Sequence, residues 1–250
     1  MSATKRIVIV GATSKIAEHC ARLWLAEPQI ELILVGRDVE KTERIACDLR
    51  VRHSQAKIEV IITHFTDTTI IKQTIQAILT GGRIDIVLIA HGMLPKQSVC
   101  QTDLSLCHEA LTINGISPIL FAEVFIYAME KANFGTLAII GSVAGDRGRK
   151  SNYIYGAAKG MLERYVQGLA HRLAKTKVKI ILIKPGPTDT PMTTEFKQKG
   201  KKLASVTEVA KDIVCKIQQG KTIIYTPARW SLIMRVIKWM PQFIFNKLEI

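Results

Sequence analysis

The chain has 250 residues, 48% of them hydrophobic, with 35 lysines and arginines against 21 aspartates and glutamates, a net charge of +14. That length and apolar content suffice to bury a full core as one α/β domain. Five cysteines without a CxxC pair or a His/Cys cluster argue against a disulfide framework or a metal site and point to reduced thiols in the cytoplasm. No uncharged apolar run reaches the ~18 residues of an ordinary membrane span.

Residues 1–10 lack the basic, apolar, small-residue plan of a leader peptide, and the β-branched run 6–10 reads as a first strand meeting Gly11. A helix is expected over 15–26, ending near Pro28. Residues 31–35 form a second strand, followed by Gly36-Arg37-Asp38 and a polar helix to residue 52. Further strands are expected at 57–63, 84–90, 135–140 and 178–183. Helices fill the gaps, the long one before the fifth strand containing Pro118 and residues 120–131. Strands that are continuously apolar indicate a parallel sheet covered on both faces. With no internal repeat, low-complexity tract or linker, the pattern predicts a single-domain doubly wound parallel sheet, the Rossmann fold. Residues 1–228 make up the domain and 229–250 a basic amphipathic extension of it.

The chemistry concentrates in Gly141-Ser142-Val143-Ala144-Gly145 and Tyr155-Gly156-Ala157-Ala158-Lys159. Residues four apart share a helix face, so Tyr155 and Lys159 lie about one turn from each other. An ammonium beside a phenol favours the phenolate, and the lysine is expected to lower the tyrosine's pKa towards working pH. Ser142 follows the apolar run 137–140, where a strand end would point its hydroxyl into a cleft.

At these residues the chain resembles the short-chain dehydrogenase/reductase family, over most of its length. The resemblance implies a nicotinamide cofactor and a carbonyl–alcohol interconversion. It makes Tyr155 the acid/base, Lys159 the group that lowers its pKa and grips the nicotinamide ribose, Ser142 the holder of the substrate oxygen, and Asn114 the anchor of a proton relay. A rival reading is a non-catalytic dinucleotide-binding sensor or membrane scaffold on the same fold, for which an eroded glycine motif is the best argument. Where the family carries Thr-Gly-x-x-x-Gly-x-Gly, this chain keeps only Gly11, with Lys15 and Ala17 at the later glycine positions. The turn Gly11 to Ile16, including Thr13, Ser14 and Lys15, still opens a helix whose N-terminus suits a pyrophosphate. Arg37 at the end of the second strand offers a cationic fork for a 2′-phosphate, with Lys15 as a second charge nearby, and favours NADP(H) over NAD(H). The segment Ala90-His91-Gly92 stands where the family has Asn-Ala-Gly; His91 is read as supporting backbone rather than as a catalyst. Pro185, Gly186, Thr188 and Thr190 match the segment that closes over the nicotinamide.

Finer resemblances, at 90–92, at 143–149 and at 225–230, are to reductases similar to decaprenylphosphoryl-2-ketoribose reductase, and imply a lipid-linked keto-sugar substrate. Half of the net charge, eleven basic against four acidic residues, lies in 195–250. It sits beside apolar and aromatic residues and carries no nucleic-acid motif, which argues against nucleic acid. Residues 229–250 alternate apolar and basic positions around tryptophans, with Pro241 breaking the run. Two readings stand: a helix lying at the inner membrane surface, which makes the protein a peripheral one, or a helix packed on its own domain or on a sister subunit of a homodimer or homotetramer.

Overall fold

In the computed structural model, residues 4–248 are described; residues 1–3 of the expected leading segment and 249–250 of the C-terminal extension lie outside the described residues. Seven parallel strands form one sheet in the order β3-β2-β1-β4-β5-β6-β7. They are β1 (Lys5–Val10), β2 (Ile30–Gly36), β3 (Lys57–Ile62), β4 (Ile86–Ile89), β5 (Thr136–Ile140), β6 (Lys179–Pro185) and β7 (Ile223–Thr226). The sheet is therefore the single doubly wound domain expected, with strand ends displaced by one or two residues. β7 is the addition. Its run Ile223-Ile224-Tyr225-Thr226 is β-branched and aromatic, bounded by Gly220 and Pro227, which is a strand signal that reading by position in the chain passes over.

Helices cover both faces. On one lie α1 (Lys15–Leu25), α2 (Val39–Arg52) and α9 (Val206–Gln218), burying Trp24, Leu49, Val209 and Ile213 against the inward side chains of β1, β2 and β6. On the other lie α3 (Thr68–Thr80), α6 (Ser117–Ala132) and α7 (Tyr153–Arg172), where Phe121, Phe125, Leu162 and Val166 pack on β1, β4 and β5. Short α4 (Gln97–Cys100) and α5 (Leu104–Leu111) precede α6, and α8 (Thr194–Gln198), α10 (Arg229–Trp239) and α11 (Gln242–Phe245) complete the set. The central strands are buried along their whole length, which is why their sequences run apolar rather than alternate. The continuous helical stretch Leu104–Ala132 is long and apolar enough to cross a membrane by length and composition, but more than half of it is buried. Phe121, Ala122, Phe125 and Ile126 spend that apolarity on the core.

The strand order reverses between β1 and β4, and ligands of open α/β sheets bind beyond the carboxyl ends of strands at such a switch. Gly11 follows β1, Ala90-His91-Gly92 follow β4, Ser142 lies two residues beyond β5, and Pro185 ends β6. Four neighbouring strand ends thus deliver the residues of interest to one crevice.

Candidate active site

Two close backbone approaches bring Ser142 to Tyr155. After β5, Ser142 caps a one-turn 3₁₀ helix over Val143–Gly145, its hydroxyl accepting the Ala144 N–H at 3.1 Å. That turn lies against the first turns of α7. A methyl on Gly145 would come 2.7 Å from the backbone of Lys159, and one on Gly156 would come 2.9 Å from the Ala144 carbonyl. Any side chain there would push the serine's turn off the tyrosine's helix. The Ser142 hydroxyl lies near enough to the Tyr155 phenol to favour its ionised form.

Lys159 is buried one turn on. Its Nζ donates to the Ile140 carbonyl at 3.0 Å and lies 5.8 Å from the Tyr155 ring centroid. Burial pulls its pKa down to about 7. Burial also holds the Tyr155 phenol above its ordinary value, opposed by the Ser142 hydroxyl. This corrects the expectation that the lysine lowers the tyrosine's pKa. In a water-poor pocket neither charged form is favoured, and the lysine is engaged with a carbonyl. The phenol stays protonated.

Asn114 sits in a π-helical turn, Thr112–Ile116, between α5 and α6, a distortion frequent at functional sites. Its Oδ1 accepts the Met93 N–H at 2.9 Å and its Nδ2 donates to the Ala110 carbonyl at 2.8 Å. A methyl on Gly92 would come 2.9 Å from Asn114 Oδ1 and 3.7 Å from Lys159 Nζ, so the three share one neighbourhood. His91 turns away from it: Nε2 bonds Ser117 Oγ at 2.9 Å and the ring packs edge-on to Phe65 and Phe121. Burial, with Lys159 and Arg37 adding to it, depresses its pKa to about 3. It is neutral at working pH, and only its backbone faces the crevice.

The turn after β1 fits a dinucleotide despite its missing glycines. Gly11 has φ +84°, and a Cβ there would strike the His91 nitrogen at 2.5 Å. Ser14 caps α1 with no bond from its own hydroxyl to the helix, and Thr13 is exposed, so hydroxyls and first-turn N–H groups are free to meet a phosphate. The side chains of Ile16 and Ala17 are buried in the core and leave only backbone on that side. Arg37 is exposed and has no ion-pair partner among the described residues, because Asp38 is taken by Lys41 at 2.9 Å and by the cap of α2. Lys15 does not join it. Its Nζ pairs with Glu18 at 2.7 Å, and it lines an open cleft of about 550 Å³ with Asp189, Thr190 and Lys197, a departure from the expected second charge beside Arg37. Salt bridging three residues along the same helix is simply the shorter reach.

Beyond β6, Gly186 bonds the Thr226 carbonyl at 2.9 Å, Thr188 Oγ1 bonds the Gly186 carbonyl at 2.9 Å, and Thr190 caps the turn Pro191–Thr193. On the side towards α7, Gln97 Oε1 accepts the Ile154 N–H at 3.0 Å. Among the described residues, Gln97 Nε2, Arg149 Nε and Asn152 Oδ1 of that region are buried without a hydrogen-bond partner. Reading by motif singled out none of these three as site residues. It also missed the ionic cluster beneath them, in which Lys184 meets Asp146 and, at 2.9 Å, Glu163, while Tyr225 donates to Asp146 at 2.8 Å.

A family model described as short chain dehydrogenase matches residues 5–201, well over half of the chain. The chain belongs to the short-chain dehydrogenase family. It is accordingly an oxidoreductase. Among its relatives is an uncharacterized oxidoreductase of Staphylococcus aureus (strain USA300), 29% identical over 220 residues, or 88% of this chain and 93% of the relative. Another is an uncharacterized oxidoreductase encoded in the mprA 5′ region of Streptomyces coelicolor, 23% identical over 98% of this chain and 96% of the relative. In fold it is similar to a short-chain dehydrogenase from Sphingobium yanoikuyae in complex with NADPH, at TM-score 0.82 and 20% identity over 95% of this chain and 97% of that one. A short-chain dehydrogenase from Burkholderia cenocepacia in complex with NADP gives TM-score 0.82 and 17% identity over 99% and 98%.

Proposed function

We propose that this protein is an NADP(H)-dependent reductase that converts a ketone to a secondary alcohol, with Tyr155, Ser142, Lys159 and Asn114 as its catalytic set. The observation that carries the reading is the seating of the Ser142 turn against α7 at Gly145 and Gly156, which sets the serine beside Tyr155 and Lys159 at the mouth of β5. A protonated phenol is an acid in waiting, which suits reduction. When bound, the reduced nicotinamide supplies a hydride. Ser142 holds the carbonyl oxygen of the substrate, and Tyr155 gives that oxygen its proton. Lys159, with a pKa near 7, returns a proton to the phenol through the neighbourhood it shares with Asn114. The phosphates of the dinucleotide meet the first turn of α1, and the unpaired Arg37 recognises the 2′-phosphate. Dinucleotides named NADPH and NADP in complexes of similar fold agree with this choice.

For the substrate we infer a keto-sugar linked to a polyprenyl phosphate. The reading rests on the resemblance at 90–92, 143–149 and 225–230 and on the basic, apolar segment 229–248, whose cations suit a lipid phosphate. The experiment is consumption of NADPH against NADH over a panel of carbonyls running from small ketones to keto-sugars and their lipid-phosphate conjugates. Turnover of small apolar ketones alone, or of none, would overturn the substrate assignment; cofactor bound without turnover of any carbonyl would favour the sensor.

A further inference from the structure

We infer that α10 and α11 form a docking surface for an anionic lipid bilayer. At helical spacing, Leu232, Val236 and Trp239 fall on one stripe of α10, and they are 65%, 58% and 84% exposed; Phe243 of α11 is 68% exposed. The inward side of α10 is served by Met234, fully buried, so the outer stripe is surplus to packing on its own domain. Clustered exposed aromatic and aliphatic side chains of this size mark an interaction site.

The charge around the stripe decides the occupant. Residues 229–248 hold four cations, Arg229, Arg235, Lys238 and Lys247, and no acid. Lys238 reaches the buried Glu163 at 3.7 Å, while Arg229, Arg235 and Lys247 have no ion-pair partner among the described residues. A second copy docked by a two-fold axis would set these cations against themselves with no carboxylate among the described residues of the segment to answer them, Glu249 being the one acid of its sequence. An anionic headgroup layer answers all of them and accepts tryptophan and phenylalanine at its boundary. The surface is also stiff. Arg147 donates to the carbonyls of Ile237 and, at 2.6 Å, Met240, and to Gln242 Oε1 at 3.1 Å, and its guanidinium lies 3.9 Å from the Phe245 ring centroid. One side chain thus holds α10 and α11 at a fixed angle across the break at Pro241, and that side chain belongs to the loop that follows Ser142.

The test is flotation of the whole protein with vesicles of phosphatidylcholine alone and of phosphatidylcholine with phosphatidylserine, at low and high salt. We expect retention on the anionic vesicles, released by salt. The pair Trp239→Ser and Phe243→Ser should lower the bound fraction about tenfold or more, and Arg235→Glu with Lys247→Glu about fivefold per cation removed. Thermal melting and NADPH binding of each variant report that it is folded. Folded wild-type protein that fails to float with anionic vesicles at low salt overturns the proposal. So does a sizing profile in which Trp239→Ser with Phe243→Ser splits an oligomer into monomers without changing flotation, because the stripe is then an interface between copies.

Discussion

Gly186 and Trp230 are in direct apposition: a methyl on Gly186 would sit 1.9 Å from the indole nitrogen. The segment that follows β6 is thereby pressed against the first turn of α10. Replacing Gly186 with alanine must push α10 away or distort the backbone beyond Pro185. Overpacking of this kind costs about 1–3 kcal/mol. Urea denaturation should show that loss, and the KM for NADPH should rise with it.

Tyr155→Phe removes the proton donor at nearly constant volume. Turnover should fall by ~10²–10⁴-fold, with NADPH affinity, measured by fluorescence titration, little changed. Tyr153, two residues earlier, is 41% exposed and directed elsewhere on the helix. Tyr153→Phe should keep its activity, and a dead Tyr153→Phe would transfer the acid role to it.

Arg37→Asp replaces a cation with an anion where the 2′-phosphate is expected to bind. A charge-assisted hydrogen bond is worth about 1.5–3 kcal/mol, so the ratio of kcat/KM for NADPH over NADH should drop by at least about tenfold. A wild-type preference for NADH would remove the basis of the cofactor assignment.

Two buried bases give separate windows of pH-dependent stability, in both of which stability rises with pH. Lys159 has its folded pKa near 7 against 10.5 as a free group. Between those values the unfolded chain binds the extra proton, so this group makes stability rise with pH from about 7 to 10.5. His91, at about 3 against 6.5, makes stability fall as pH drops through that lower window. Melting curves across pH should flatten in the upper window for Lys159→Met and in the lower one for His91→Gln. His91→Gln keeps a donor for Ser117 and should leave the activity profile near neutrality unmoved.

The sheet was legible because β2 and β4 are buried end to end, and β1 and β6 beyond their first residue, so that they read as apolar runs ended by Gly11, Gly36, Ala90 and Pro185. Ser142, Tyr155 and Lys159 were legible because their spacing along one strand end and one helix is the chemistry. β7 was not, being four residues long with Ile223 half out in solvent. The state of Tyr155 was not legible either, since a pKa depends on burial, which spacing does not report. Nor were the contacts of Arg147 with residues 237–245 and of Lys184 with Asp146, whose partners stand 38 to 98 positions away in the chain. Such pairs leave no periodic trace.

The cluster around Lys184 sets two carboxylates, Asp146 and Glu163, against one ammonium, and the second ammonium within reach, Lys238, arrives from α10. With α10 seated, Glu163 has a second ammonium beside it, and Arg149 adds positive charge near Asp146. With α10 lifted, Glu163 keeps Lys184 but loses Lys238, which weakens a buried ionic group whose other carboxylate lies four residues from Ser142. α10 is thereby tied to the loop that carries Ser142 through Arg147, and whatever unseats the helix also frees that loop.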